Sequence, residues 1–139
     1  MAIKNLNPYL NFDGTAEQAI ALYERVFDTK ADSVGRFGEA ACGDVPPEHS
    51  NRIMHARLRI GPSLVMMSDV PPGIALPPES NTHVCLDFDD ATDMKTKFDA
   101  LADGGRITMP LQYTFWGATF GMLKDRYGIH WMFNCDKKS

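Results

Sequence analysis

The sequence predicts an α+β fold: two tandem βαβββ modules forming a curved, open-barrel mixed sheet with helices outside. Three observations carry that prediction. The chain opens with alternating polar and apolar residues and then switches to a helical stripe. The same order restarts near residue 80. A loop with four of the nine prolines, VPPGIALPPES, stands between the two copies. A period of two marks a strand with one buried face, and a period near 3.6 marks an amphipathic helix. The expected organisation is one domain over residues 1–139, with module one at 1–69, a proline-rich linker at 70–79 and module two at 80–139.

Module one begins with LNPYLNF, where Leu6, Pro8, Leu10 and Phe12 alternate with Asn7, Tyr9 and Asn11. Asp13-Gly14 makes a turn. TAEQ then has the form of a capping box, with Thr15 as N-cap and Gln18 three residues on. Ala19, Leu22, Tyr23, Val26 and Phe27 form the apolar stripe of the first helix. A short strand follows near Ala31–Phe37. Gly38–Ser50 is a loop rich in glycine, proline and acids; carrying Glu39, Asp44 and Glu48, it is expected to lie over the cleft mouth as a lid. IMHARLRIGPSLVMMSD is a hairpin turning at Gly61-Pro62.

Module two repeats the order. THVCLDF alternates Val84, Leu86 and Phe88 with His83, Cys85 and Asp87. DDATDMKTKFDALADGG is a helix with an Asp N-cap and a stop at Gly104, its stripe being Met94, Phe98, Leu101 and Ala102. Asp89 and Asp90 at its start complement the helix dipole. RITM, ATFGMLKD and IHWMFNC are the remaining strands, the last two joined by a turn at Arg126-Tyr127-Gly128.

The bulk properties exclude several classes of function. With 14 Lys and Arg against 18 Asp and Glu, the net charge of −4 offers no electrostatic footprint for nucleic acid or an anionic membrane. No apolar run reaches membrane-spanning length, and the N-terminus lacks the apolar core of a signal peptide. Cys42, Cys85 and Cys135 are odd in number and have no CxxC spacing. Reduced thiols in a cytoplasmic protein are the expectation. No nucleophile elbow is present, and no strand leads into the glycine-rich turn that holds a dinucleotide or S-adenosylmethionine.

Strand alternation yields a list of candidate cleft residues. Assigning the more apolar face of each strand to the helix turns the other face inward. Strand one then contributes Asn7, Tyr9 and Asn11. The hairpin contributes His55, Arg57, Arg59, Val65, Met67 and Asp69. Module two contributes His83, Cys85 and Asp87, and, from its last strand, His130, Met132 and Asn134. Imidazole, amide and phenol groups mixed with thioethers suit a small-molecule cleft. Plain solvent exposure of one sheet face gives the same alternation. Phe115 and Trp116, just before a strand, suit a cleft cap, a dimer contact or core packing.

The stretches NPYLNFDGTAEQAIALYERVF, IMHARLRIGPSLVMMSD and TFWGATFGMLKDRYGIHWMFN, in that order, resemble the PhnB-like branch of the glyoxalase/bleomycin-resistance superfamily, the vicinal oxygen chelate proteins. The resemblance runs from about Asn7 to Asn134. It implies paired βαβββ modules, a homodimer and a ligand cleft in each curved sheet. It also raises a divalent metal as cofactor. Metal-dependent members place ligands on the first and last strand of each module. Those points fall here at Asn7, at Met67 or Asp69, at His83, and at Met132 with Asn134 beside it. His83 matches and Asp69 is the second candidate. His55 and Asp69 also fit the branch pattern.

The expected catalytic set is therefore His55, Asp69 and His83, within a cleft lined by Asn7, Tyr9, Asn11, Met67, Phe115, Trp116, His130, Met132 and Asn134. The leading expectation is a protein that binds a small metabolite. A metal-dependent lyase, isomerase or dioxygenase and a catalytically silent dimeric scaffold are the alternatives.

Overall fold

The computed structural model describes residues 2–39, 47–71 and 73–136; Asp44 of the expected lid and Cys42 lie outside them. The chain divides into two compact units, Met1–Pro77 and Pro78–Ser139.

In the first unit the elements are β1 (Tyr9–Phe12), α1 (Ala16–Phe27), β2 (Ala31–Arg36), β3 (Ile53–Ile60) and β4 (Ser63–Asp69). They form a four-stranded sheet in the order β1-β4-β3-β2. β1 runs parallel to β4, and the other pairings are antiparallel. β1 starts later than the alternation suggests, and Leu6, expected on the apolar face, is 91% exposed. α1 packs on β3 and β4. Ala19, Leu22, Tyr23 and Val26 from its stripe are buried with Leu10, Phe12, Ala56, Leu58, Val65 and Met67 from the sheet.

The expected capping box at α1 is corrected. Thr15 occupies the N-cap position, but its side chain makes no capping hydrogen bond. The buried Asp69 carboxylate accepts from the Ala16 amide at 3.0 Å instead, and its other oxygen accepts from the Ile53 amide at 2.8 Å. One carboxylate from the end of β4 thus satisfies an orphan donor of the helix and the first amide of β3.

The second unit repeats the design with β5 (Val84–Phe88), α2 (Ala91–Ala102), β6 (Arg106–Tyr113), β7 (Ala118–Lys124) and β8 (His130–Asp136), ordered β5-β8-β7-β6. β5 is parallel to β8, and β8, β7 and β6 are antiparallel neighbours. Asp90 caps α2 as expected, accepting from the amides of Thr92 and Asp93. Beyond Ala102 the chain turns at Gly104 with φ +77°. Met94, Phe98 and Leu101 of α2 are buried, as are Leu123, Trp131 and Phe133 of the sheet. Phe133 stacks on Phe88 and meets Phe98 edge to face, with centroids 5.4 and 5.1 Å apart. β6 extends beyond the expected RITM through Pro110 to Tyr113. It is an edge strand, where the missing proline donor is tolerated.

The α+β class and the two βαβββ repeats are therefore those the sequence predicts. The strands lie in two four-stranded mixed sheets, each with one helix on one face. Neither sheet closes into a barrel.

Candidate functional site

In each unit the helix covers one sheet face, and the other face carries the polar residues. Register decides which side chains share that open face. In the first unit Tyr9 pairs with Met66, and Met66 with Arg57. The open face therefore holds Tyr9, Asn11, His55, Arg57, Arg59, Leu64, Met66 and Ser68. The Tyr9 hydroxyl donates to Ser68 Oγ at 3.1 Å, and the Tyr9 ring lies 6.1 Å from that of His55. The Asn7 amide donates to the Leu64 carbonyl at 3.2 Å. Arg59 pairs with Asp32 at 3.2 Å near solvent.

Met67, Val65 and Asp69, expected on this face, lie instead on the helix side. The cause is the two-residue turn at Gly61-Pro62. It pairs Ile60 with Ser63, so each odd-numbered residue of β3 faces an even-numbered residue of β4. Leu64, Met66 and Ser68 are thus the open-face residues of β4 that alternation does not pick out. An irregularity where β2 meets β3, between Gly35 and Arg36, sets the start of β3: Ile53 and Ala56 are both core although three residues apart.

In the second unit the expected face assembles. Cys85 pairs with Met132, Asp87 with Asn134, Met132 with Met122, and His130 with Lys124. His83 immediately precedes β5, and its ring meets that of His130 edge to face at 5.2 Å. The Asn134 amide donates to both Asp87 and Asp136 at 3.2 Å. Phe120, which pairs with Asn134, meets the Trp116 ring at 5.7 Å, and Trp116 meets Phe115 at 4.9 Å. Phe115 is 97% exposed, so core packing is not its role. From His130 to Trp116 the face runs from basic groups, through thioethers, to amide and aromatic groups.

His130 is the most unusual member. Its side chain is only 10% exposed, and its Nε2 is buried without a hydrogen-bond partner. The Glu79 carboxylate lies 4.0 Å from Nε2 and 3.9 Å from Lys124 Nζ. Burial, then the His83 ring and the Lys124 ammonium, push the His130 imidazole below its ordinary pKa; Glu79 opposes this and Arg106 adds to it. Glu79, in the proline-rich loop, was not among the expected site residues. The Cys85 thiol is pushed up by partial burial and the Asp87 carboxylate, so it is held as a thiol rather than a nucleophilic thiolate.

A separate shallow cleft of about 630 Å³ lies at the start of α2, between Asp89, Asp90, Thr92, Tyr113 and Asp136. The Asp90 carboxylate there is engaged in helix capping. No sequence pattern singled this cleft out.

The donor set does not fit the metal that the resemblance raises. Both Asp69 oxygens are taken by backbone amides on the helix side, opposite the face of His55. The Asn7 and Met132 positions offer an amide and a thioether. A divalent ion with a catalytic role generally takes three protein ligands. Among the described residues no group of three or more His, Cys, Asp or Glu is placed to hold a metal.

A domain of two βαβββ units, each with one helix-covered and one open polar sheet face, defines a class that sequence comparison also finds. Residues 5–133 match the Glyoxalase/Bleomycin resistance protein/Dioxygenase superfamily. The chain belongs to this superfamily. It is 36% identical over 143 residues to Protein YjdN of Escherichia coli K12, covering 96% of each chain. Protein PA1353 from Pseudomonas aeruginosa superimposes with a TM-score of 0.88 at 34% identity, covering 98% of this chain and 100% of that one. The PhnB protein from Bacillus cereus gives 0.79 at 25% identity, over 95% and 99% of the two chains. The PhnB-like resemblance is thereby supported. No helix among the described residues is long and apolar enough to cross a membrane.

Proposed function

We propose that this chain is a small-molecule-binding member of the superfamily, and that the ligand lies on the open face of the second unit's sheet. The observation that carries the reading is His130. A ring nitrogen buried without a partner is costly in a finished interior, and a group that completes it from outside removes that cost. The thioethers of Met122 and Met132 beside it adapt to an irregular ligand. Asn134 and His83 supply directional polar contacts. Assembly as a homodimer and residence in the cytoplasm belong to the same proposal, on the strength of the family resemblance.

A thermal-shift screen against small metabolites tests it. A bound metabolite raises the melting temperature of the wild type by mass action. Met132→Glu, which puts a charge in the middle of the face, removes that rise. A rise that survives intact in the Met132→Glu protein places the ligand elsewhere and sinks the proposal. The rise is also expected to survive exhaustive treatment with a chelator.

A further inference from the structure

We propose that the His130 end of this face is an oxyanion site. Its ligand is a small organic acid whose apolar body lies across Met122 and Met132 toward Phe120 and Trp116, and Glu79 stands in for the acid when no ligand is bound. This deepens the binding reading above and rests on it.

Three nitrogen groups converge at that end. His130 offers a buried Nε2 with no hydrogen-bond partner. Lys124 lies directly opposite it on β7, and Arg106 lies opposite Lys124 on β6, so all three share one face. A neutral imidazole in the Nε2–H tautomer donates to an oxyanion, and the ammonium and guanidinium supply the charge. The Glu79 carboxylate already occupies this position. It does so loosely, at 4.0 and 3.9 Å, beyond hydrogen-bond length, from a side chain 73% exposed. A loop carboxylate that reaches the donors without bonding them is readily displaced by one that fits.

The rest of the face sets the body of the ligand. Two residues along β8 from His130, Met132 faces Met122; two further on, Asn134 faces Phe120. At about 3.3 Å per residue the run from His130 to Asn134 spans roughly 13 Å, room for an arylalkyl or medium-chain acyl acid, of which benzoate covers the half from His130 to Met132. At the far end Asp87 and Asp136 surround Asn134. A second acidic group there meets like charge, so the site favours a monoacid with its anion at the His130 end.

The test uses the full chain with ¹³C-methyl-labelled methionine and NMR titration with benzoate, benzyl alcohol and inorganic phosphate. Benzoate is expected to shift the Met122 and Met132 methyl signals and the His130 ring signals, and to bind about tenfold more tightly than benzyl alcohol. Lys124→Met removes that advantage. Glu79→Gln strengthens benzoate by about two- to fivefold and leaves benzyl alcohol unchanged, as expected for loss of an exposed, loosely paired competitor. Phosphate is expected to bind more weakly than benzoate, through the His130 end alone. Equal affinity for benzoate and benzyl alcohol overturns the oxyanion site while leaving the binding face in place. Weaker benzoate binding in Glu79→Gln overturns the stand-in role. Phosphate binding as tight as benzoate overturns the organic body. A complete lack of methionine response to both ring-bearing probes overturns this inference together with the reading it rests on.

Discussion

Replacing Asp69 by alanine separates a structural carboxylate from a catalytic one. The side chain is 3% exposed and accepts from two backbone amides, Ala16 at 3.0 Å and Ile53 at 2.8 Å. Alanine leaves both donors buried without an acceptor. Each such donor costs about 1–3 kcal/mol, so the substitution is expected to destabilise the fold by about 2–6 kcal/mol. Asparagine keeps one acceptor oxygen but presents an NH₂ to the other amide, and is expected to cost about half as much. Urea unfolding followed by circular dichroism reads the effect. With a slope near 2 kcal/mol per molar urea, a loss of about 3 kcal/mol lowers the midpoint by about 1.5 M. An Asp69→Ala midpoint within about 0.2 M of the wild type refutes the assignment, because the two amides would then have found other acceptors at no cost.

Asp125 is the second unit's comparable case, accepting from the Tyr127 and Ile129 amides and from Trp131 Nε1 at 2.9 Å. Asp125→Ala is expected to cost at least about 2 kcal/mol and to alter the near-ultraviolet dichroism of Trp131. His130 predicts an acid sensitivity. Its folded-state pKa is depressed, so as pH falls below about 6.5 the unfolded chain takes up a proton that the folded chain resists, and stability declines. His130→Gln should flatten that limb of the stability profile; an unchanged slope would count against the depressed value. Phe115→Ala is expected to change stability by less than about 0.5 kcal/mol, because the ring is 97% exposed. Trp116→Phe should shift the fluorescence emission to shorter wavelength, since the remaining Trp131 is fully buried; an unshifted spectrum would contradict the exposure of Trp116.

Periodicity was enough to read the element order, both helices and the open face of the second sheet. His83, Cys85 and Asp87 share that face with His130, Met132 and Asn134, because parallel neighbours keep the same alternation over five residues. The first sheet is less legible. Its β4 phase follows from loop length rather than from apolarity: Leu64, Val65, Met66 and Met67 are all apolar, so alternation is silent there. The Gly61-Pro62 turn carried the missing signal, since a two-residue loop dictates which residues face each other. The role of Asp69 was hidden for another reason. A carboxylate at a strand end looks the same in sequence whether it meets solvent, a ligand or the amides of distant segments. Glu79 was obscured by its proline-rich surroundings, which read only as a linker.

The acceptor that completes α1 lies 53 residues downstream of the amide it serves. During synthesis the helix emerges long before that partner does, and an isolated helix of 12 residues is marginal in water. At about 5–20 residues per second, roughly 3 to 10 s pass between the two. Throughout that interval the first turn lacks its acceptor and frays in water, until β4 delivers the latch.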